Sequence, residues 1–394
     1  MNLFMIIIHI IEILLWIFVA ASVLYITFFA LVSLFPNNKH ERFRTENINK
    51  EKPRFLMLFP AYKEDLVILN SINSFLQQDY DKYSYDICVI ADHMQEATNT
   101  SLKSLPINVL IPQFDNSSKA KALKFAIANN ATNYDYVVIL DADNVVDHDY
   151  LTNLALLLSE NDYTAIQCHR CAKNNDNNIA ELDGISEEIN NSIFRKAHNR
   201  IGLSSALIGS GMCFKYSWFA NNVNHLSTAG EDRELEALLI RQSKYIKYAD
   251  NIHVFDEKVS SQENFQRQRL RWLTVQIQCL LSMLPYIPQA IKTGNINYID
   301  KTIQQALIPR SILIAITLLM SIVVLFINPV WSIKWWMLFL CVVCAIIIAT
   351  PRRLRTTNII SNSCILPKLI FRMCCNILHI DISNKDFLHT THDK

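Results

Sequence analysis

The chain lacks an excess of charge of either sign. Its 394 residues include 37 lysines and arginines against 36 aspartates and glutamates, which leaves a formal net charge of +1. It also lacks a basic run interleaved with aromatic residues, the pattern typical of nucleic-acid-binding surfaces. The sequence therefore argues against a nucleic-acid partner.

Internal repeats and low-complexity segments are also missing. The ten cysteines are scattered along the chain, which favours reduced thiols. Cys168-His169-Arg170-Cys171 resembles half of a zinc site, but no second pair of ligands follows at a suitable distance. The sequence therefore disfavours zinc.

Long hydrophobic runs are abundant. Hydrophobic residues make up 51% of the chain, and residues 3–35 are almost entirely apolar, interrupted by His9 and Glu12. This run is long enough to cross a bilayer, and it lacks the basic start and short apolar core of a cleaved signal peptide, so we expect a retained anchor. We expect the span to begin after Glu12, which leaves that carboxylate at the outer interface. Residues 307–327 and 333–350 predict two more spans.

Basic residues near span ends mark the cytoplasmic side of a membrane. They follow the first span, open the second and follow the third, and they include Lys39, Arg42, Arg44, Arg310, Arg352, Arg353 and Arg355. The three clusters predict one topology, in which the N-terminus and residues 328–334 lie outside, whereas residues 36–309 and the tail lie in the cytoplasm. Tryptophans near the outer connection fit an aromatic belt, namely Trp331, Trp335 and Trp336.

The cytoplasmic region alternates short apolar strands with amphipathic helices, which predicts an α/β domain with a mainly parallel sheet. We place the strands at residues 55–59, 86–90, 109–111, 136–140 and 164–168. Polar residues follow three of these strands, and the carboxyl ends of parallel strands form the usual binding crevice. The candidates at this edge are Pro60, Tyr62, Glu64, Asp92, Asp141 and Asp143.

Two of these features indicate a phosphate-bearing ligand. Asp141-Ala142-Asp143 offers two carboxylates, which suit a hard divalent cation, although the triplet alone also fits a turn or a calcium loop. Lys119 and Lys121 lie in the first turn of a predicted helix, where they oppose the helix dipole. Their position makes sense if an anion such as a diphosphate binds at that helix end.

Three later motifs are candidates as well. Two of the six glycines in the chain flank Ser210, where they allow a ligand to approach the backbone or mark a turn. Glu231 and Asp232 begin a predicted helix. Acidic residues at this position stabilise the helix dipole in any protein, so a purely structural role is the alternative. Gln268, Arg271 and Trp272 share one face of a predicted helix. Arginine suits phosphate binding, and tryptophan offers a flat surface to a sugar ring. An amphipathic helix at the membrane surface is the alternative for that last stretch.

Taken in order, these motifs resemble the signature of membrane-integrated family 2 glycosyltransferases, a group with a GT-A catalytic domain that includes the cellulose, chitin and hyaluronan synthases. The resemblance spans residues 55–272. Its four parts are Asp92, Asp141-Ala142-Asp143, Glu231-Asp232 and Gln268-Arg269-Leu270-Arg271-Trp272. Pro60-Ala61-Tyr62, Lys119 and Gly209-Ser210-Gly211 also match.

The resemblance implies a role for each matching residue. Asp92 would contact the nucleobase or ribose, Asp141 and Asp143 would hold the nucleotide and a Mn²⁺ or Mg²⁺ ion, and Asp232 would be the general base of an inverting transfer. Glu231 would orient Asp232, and an exchange of these two roles stays open. The rest of the donor site would be Pro60, Tyr62, Glu64 and Lys119. The diphosphate and acceptor would contact Gly209, Ser210, Gly211, Gln268, Arg271 and Trp272.

The chain also departs from the processive synthases. Ser118 replaces one residue of a usual glycine-lysine pair, and only three spans are evident, too few to surround a hydrated polymer. We expect residues 273–287 and 366–378 to form interfacial helices. The predicted organisation is an anchor (1–36), a GT-A domain (50–272), an interfacial region (273–306), two spans (307–350) and a cytoplasmic or interfacial tail (351–394).

The predicted activity is metal-dependent transfer of a sugar from a nucleotide-sugar, which we expect to be a UDP-sugar, to a lipid-linked or saccharide acceptor at the bilayer. We expect this transfer to serve envelope glycolipid or polysaccharide synthesis. Three alternatives stay open. They are a processive synthase completed by a membrane partner subunit, a polyprenyl-phosphate glycosyltransferase, and an inactive assembly subunit.

Overall fold

The computed structural model describes residues 3–35, 52–130, 134–174, 177–228, 230–259 and 261–355. The predicted helix at 366–378 lies outside these residues. The helices are α1 (Leu3–Val32), α2 (Ile68–Phe75), α3 (Glu96–Lys103), α4 (Lys119–Ala128), α5 (Tyr150–Glu160), α6 (Asn178–Asn190), α7 (His198–Arg200), α8 (Tyr216–Asn222), α9 (Glu231–Arg241), α10 (Gln262–Met283), α11 (Ile287–Thr293), α12 (Ile296–Ala306), α13 (Arg310–Ile327) and α14 (Pro329–Ala349). A π-helix, Asn191–Ala197, joins α6 to α7.

An eight-stranded mixed sheet forms the centre of the α/β domain. The strands are β1 (Phe55–Tyr62), β2 (Tyr85–Asp92), β3 (Asn108–Leu110), β4 (Tyr136–Ile139), β5 (Val145–Val146), β6 (Ala165–Ala172), β7 (Met212–Lys215) and β8 (Ile246–Asp256). Their order in the sheet is β3-β2-β1-β4-β7-β6-β8-β5. The first four strands in that order are parallel, β7 is antiparallel to both neighbours, and β6 and β8 are parallel to each other.

All five predicted strands are present, and the α/β fold is confirmed. Four of them are buried on both faces because helices cover the sheet on each side, which explains their uninterrupted apolar runs. Phe59 packs in one core with Phe75 of α2, and Leu58 packs in the other with Leu123 of α4. β5, β7 and β8 were not predicted from the sequence.

Three helices, α1, α13 and α14, are long and apolar enough to cross a membrane, as the sequence predicts. They share one core, which includes Val23, Leu313 and Trp335 and which also contains Ile189 of α6. The three candidate membrane helices therefore pack directly on the α/β domain.

Glu12 lies inside α1 and not before it. Its carboxylate accepts hydrogen bonds from Lys334 Nζ (2.8 Å) and Trp335 Nε1 (2.6 Å). The helix begins earlier than expected because these two partners from α14 satisfy the carboxylate.

Gln268-Arg269-Leu270-Arg271-Trp272, called the Gln268 motif below, lies in the same helix as the stretch that follows it. α10 extends from Gln262 to Met283 without a break, so the predicted boundary at residue 272 falls inside it. α12 then folds back on α10, and Gln276 Nε2 donates to the carbonyls of Gln305 and Leu307 at 2.9 Å each.

Candidate active site

The acidic loop after β4 is held in shape by hydrogen bonds. The Asp141 N–H donates to Asn144 Oδ1 (2.9 Å) and to Ser210 Oγ (3.2 Å). The buried Asp143 carboxylate accepts from Asn144 Nδ2 and from the Glu257 N–H, each at 3.0 Å. The backbone of Asp141 and the carboxylate of Asp143 are therefore held by residues that flank the strands, at one edge of the sheet.

These carboxylates fit a divalent cation. Asp141 and Asp143 both line a cavity, and oxygen ligands are those that Mg²⁺ and Mn²⁺ prefer. Lys119 Nζ bonds to Asp141 Oδ1, so a cation at this carboxylate would take over or share that contact. The carboxylate oxygens of Asp141 and Asp143 are the ligand type that the predicted metal role requires.

Lys119 is the positively charged residue that contacts the acidic groups Asp141 and Glu231. Its Nζ also donates to the Gly209 carbonyl oxygen (2.7 Å) and lies 3.6 Å from Glu231 Oε1. Burial alone would lower the pKa of Lys119, but Asp141 and Glu231 raise it above its ordinary value. The ammonium is therefore held charged where α4 begins, as a diphosphate site requires.

Glu231 and Asp232 begin α9 and face Gly209. A Cβ atom at Gly209 would lie 4.0 Å from Asp232 Oδ2 and from Glu231 Oε1. Gly209 has a φ of +81°, a conformation that favours glycine. Burial raises the pKa of Glu231 to about 7, even though Lys119 opposes the shift. Asp232 is more exposed than Glu231.

The aspartate that ends β2 lies beside the aromatic rings of Tyr62 and His93. Asp92 is 3% exposed, and its Oδ1 lies 2.6 Å from His93 Nδ1. The ring of His93 contacts the Tyr62 ring edge-on, with centroids 5.6 Å apart. Tyr62 pairs with Asp92 in the register of the parallel strands, which explains why these two predicted residues meet.

The Gln268 motif lies on α10 and faces the same space. Arg269 stacks on Trp272 (4.5 Å from its guanidinium carbon to the ring centroid) and bonds to Asp183 of α6. Burial lowers the pKa of Arg271, against the opposing effect of Glu231 and two nearby aspartates. The arginines of the motif therefore lie between the acidic cluster at Glu231 and Asp183 of α6.

One cavity of about 970 Å³ joins these groups. The predicted residues on its wall are Pro60, Tyr62, Glu64, Asp92, Lys119, Asp141, Asp143, Gly209, Glu231, Asp232, Gln268, Arg271 and Trp272. Ser210 and Gly211 are buried behind that wall. Ser210 supports the Asp141 loop, and a Cβ at Gly211 would come within 3.0 Å of Val254 Cγ2, so the neighbouring strand needs the glycine.

A second group of charged residues on the cavity wall was not predicted from the sequence. Glu187 of α6 pairs with Arg170 (3.1 Å) and Arg195 (3.0 Å), and Lys258 pairs with Asp256 (2.9 Å). Burial alone would raise the pKa of Glu187, but the two arginines lower it below its ordinary value. No local motif marks these residues, because their elements are far apart in the sequence.

Cys168-His169-Arg170-Cys171, which resembles half of a zinc site, lies on β6, so its neighbouring side chains point to opposite faces of the sheet. Cys168 contacts Tyr150, whereas its neighbour His169 contacts Glu188 on the other face of β6. His169, Cys171 and Glu188 do come together, but Arg353 bonds to Glu188 at 2.7 Å. An arginine therefore already supplies the positive charge at this cluster.

The fold and cavity define a glycosyltransferase of the GT-A type. A family model described as glycosyl transferase family group 2 matches residues 136–348, more than half of the chain. The chain belongs to this family of enzymes. No curated protein sequence matches the chain.

Solved structures also resemble this one. The mannosyltransferase PcManGT from Pyrobaculum calidifontis, in complex with GDP-Man and Mn²⁺, aligns with a TM-score of 0.53 at 15% identity, covering 84% of this chain and 93% of that one. TarS 1–349 from S. aureus aligns with a TM-score of 0.44 at 13% identity, covering 83% and 89%. The likeness to PcManGT shows a shared fold.

Proposed function

We propose that this enzyme is an inverting, metal-dependent glycosyltransferase that moves a sugar from a UDP-sugar to an acceptor at the membrane surface, in the synthesis of an envelope glycolipid or polysaccharide. The observation that carries the proposal is that one cavity joins two parts of the molecule. It is lined at one end by the strand-end acids and at the other by the ends of the membrane helices. A donor and a membrane-bound acceptor could therefore meet inside it.

The donor would bind along the carboxyl ends of the parallel strands. Asp92 would contact the nucleobase or ribose, and Lys119 would pair with the diphosphate. Asp141 and Asp143 would hold Mn²⁺ or Mg²⁺, which neutralises charge on the leaving diphosphate when bound. PcManGT, which shares the fold, is described with a nucleotide-sugar and Mn²⁺, which supports this class of donor and cation.

In the proposed reaction, an acceptor hydroxyl oxygen attacks the anomeric carbon from the face opposite the diphosphate. The bond between that carbon and the phosphate oxygen breaks, and its electron pair leaves with UDP. Asp232 takes the hydroxyl proton. Glu231 lies 3.6 Å from Lys119, so we assign it to positioning the lysine and Asp232.

We also propose that the catalytic domain and the tail are cytoplasmic and that the N-terminus is outside. The C-terminal end of α1, the start of α13 and the C-terminal end of α14 all reach the cavity, through Ile26, Ile314 and Ile346. Arg310 and Arg352 lie at this same end of the helices. Their charge supports a cytoplasmic assignment for it.

The test uses the full chain in detergent, with Mn²⁺ or Mg²⁺ and a panel of UDP-sugars and GDP-mannose. The wild type should release nucleoside diphosphate from one donor, and Asp143→Asn should reduce release at least about 100-fold. Asp232→Asn should bind the nucleotide in calorimetry and lose transfer.

The matched control is Asp162→Asn, because Asp162 is exposed and pairs with Lys215 outside the cavity. It should behave as the wild type. Equal release by wild type and Asp143→Asn would refute the metal assignment, and equal transfer by Asp232→Asn would refute the base.

A further inference from the structure

The cavity continues from the active site into an apolar pocket at the ends of the membrane helices. Its wall there comes from α1, α6, α13 and α14, and it includes Ile26, Ile185, Ile189, Ile314 and Ile346. A hydrated saccharide chain would leave such a wall poorly matched, whereas a hydrocarbon chain would be stabilised by it. The lining therefore fits a lipid better than a growing polymer.

An arginine without an acidic partner lies where the apolar pocket meets the polar site. Arg310 Nη2 donates to the carbonyl oxygen and to Oγ of Ser186, each at 3.0 Å. Its Nη1 is buried with no hydrogen-bond partner in the part of the chain that the structure describes. Within that part, no carboxylate lies within ion-pair distance of it. A second arginine on the wall, Arg355, donates to the carbonyls of Thr350 and Ile348.

Other donors on the same wall are also unpaired. Among the described residues, the Nε atoms of Arg170, Arg195 and Arg269 are buried without a hydrogen-bond partner, although each of these guanidinium groups has an acidic partner elsewhere. Buried unpaired donors are rare in native proteins and are costly to leave unsatisfied. Of the unpaired arginine donors described on this wall, Arg310 Nη1 belongs to the group that has no acidic partner, so an anion bound beside Arg310 would satisfy it.

We propose that this end of the cavity binds a lipid that carries a phosphate group. The phosphate oxygens pair with Arg310 and Arg355, the hydrocarbon chain lies against α1, α13 and α14, and the lipid presents the acceptor hydroxyl towards Asp232. This inference rests on the transfer reaction proposed above, and it specifies the class of acceptor.

The test measures lipid binding by native mass spectrometry of the full chain in neutral dodecyl maltoside micelles. The probes are decaprenyl phosphate, phosphatidic acid and the uncharged alcohol decaprenol. We expect at least one phosphate lipid to bind the wild type roughly ten times more tightly than decaprenol. Arg310→Gln should remove most of this preference, and Arg310→Lys should keep part of it. Arg355→Gln, at an exposed position, provides a second variant if Arg310→Gln does not fold.

Arg352→Gln is the control, because Arg352 is exposed outside the cavity; it should keep the preference. Binding of decaprenyl phosphate alone would assign the lipid to polyisoprenoids, whereas equal binding of phosphatidic acid would assign it to phosphate lipids in general. Equally tight binding of decaprenol and of the phosphate lipids would overturn the proposal. Displacement of the bound lipid by inorganic phosphate but not by decaprenol would overturn it as well. UDP binding is measured on the same wild-type sample. Absence of UDP binding would refute the donor site of the proposed reaction, whereas the lipid results above test the phosphate-lipid site.

Discussion

At the scale of single residues, Glu231 has the most unusual environment of the proposed catalytic pair. It is 7% exposed, and burial raises its pKa to about 7 from an ordinary value of 4.5. The folded state therefore holds the proton more tightly than the unfolded chain does. The stability that this proton contributes is present below about pH 4.5 and is lost as the pH rises through about 7.

Glu231→Gln, which imitates the protonated form, should therefore become more stable relative to the wild type as the pH rises. Between about pH 5 and about pH 8, the advantage of the variant should grow by roughly 2 kcal/mol. Thermal unfolding of the detergent-solubilised protein, without donor or metal, measures it. Glu160→Gln, at an exposed position on α5, is the control. A difference between Glu231→Gln and wild type that does not change with pH would contradict the assignment.

At the scale of elements, the contact between α9 and α10 sets the distance between the acids and the Gln268 motif. Gly230 precedes α9, and a Cβ atom there would lie 2.2 Å from Val275 Cγ1 of α10. This distance is far inside van der Waals contact, so any side chain must separate the two helices. The same helices carry Asp232 and Arg271.

Gly230→Ala should therefore lower the melting temperature and reduce transfer at least about tenfold, because overpacking costs about 1–3 kcal/mol and moves the catalytic groups. The informative measurement is the double variant Gly230→Ala/Val275→Ala, which removes the clashing methyl groups. It should recover both properties in part, with Val275→Ala alone as the reference. If the double variant were no better than Gly230→Ala, the close contact would not be the cause.

Elements also show what a sequence reveals. The strands that lead to Asp92 and Asp141 were predictable because both of their faces are buried, which leaves an uninterrupted apolar run before each acid. β8 was missed because polar residues interrupt it, including Asp250 and His253. Glu187 was missed for a different reason. Its partners Arg170 and Arg195 come from β6 and the π-helix, and only tertiary folding brings them to the cavity.

At the scale of the whole molecule, α1 is part of the catalytic unit as well as a candidate membrane span. Tyr25 of α1 donates its hydroxyl hydrogen to Asp300 Oδ1 of α12 (2.7 Å), and its oxygen lies 2.9 Å from His198 Nε2. The His198 ring stacks on Phe29, with centroids 3.7 Å apart. A buried polar cluster thus joins the first and twelfth helices, and Ile26 between these aromatic residues forms part of the cavity wall.

If this joint holds the apolar end of the cavity together, Tyr25→Phe should weaken the whole enzyme and not only its attachment to the bilayer. Loss of one hydrogen bond to a charged group should cost about 1.5–3 kcal/mol, seen as a lower melting temperature. Transfer to the membrane acceptor should fall more than UDP binding, because α1 borders the acceptor end while the strand-end acids lie apart from it. Tyr83→Phe, at a residue that is 91% exposed, controls for removal of a hydroxyl. Equal losses of transfer and UDP binding would mean that Tyr25 supports the fold as a whole, and an unchanged melting temperature would show that α1 contributes no stability through this cluster.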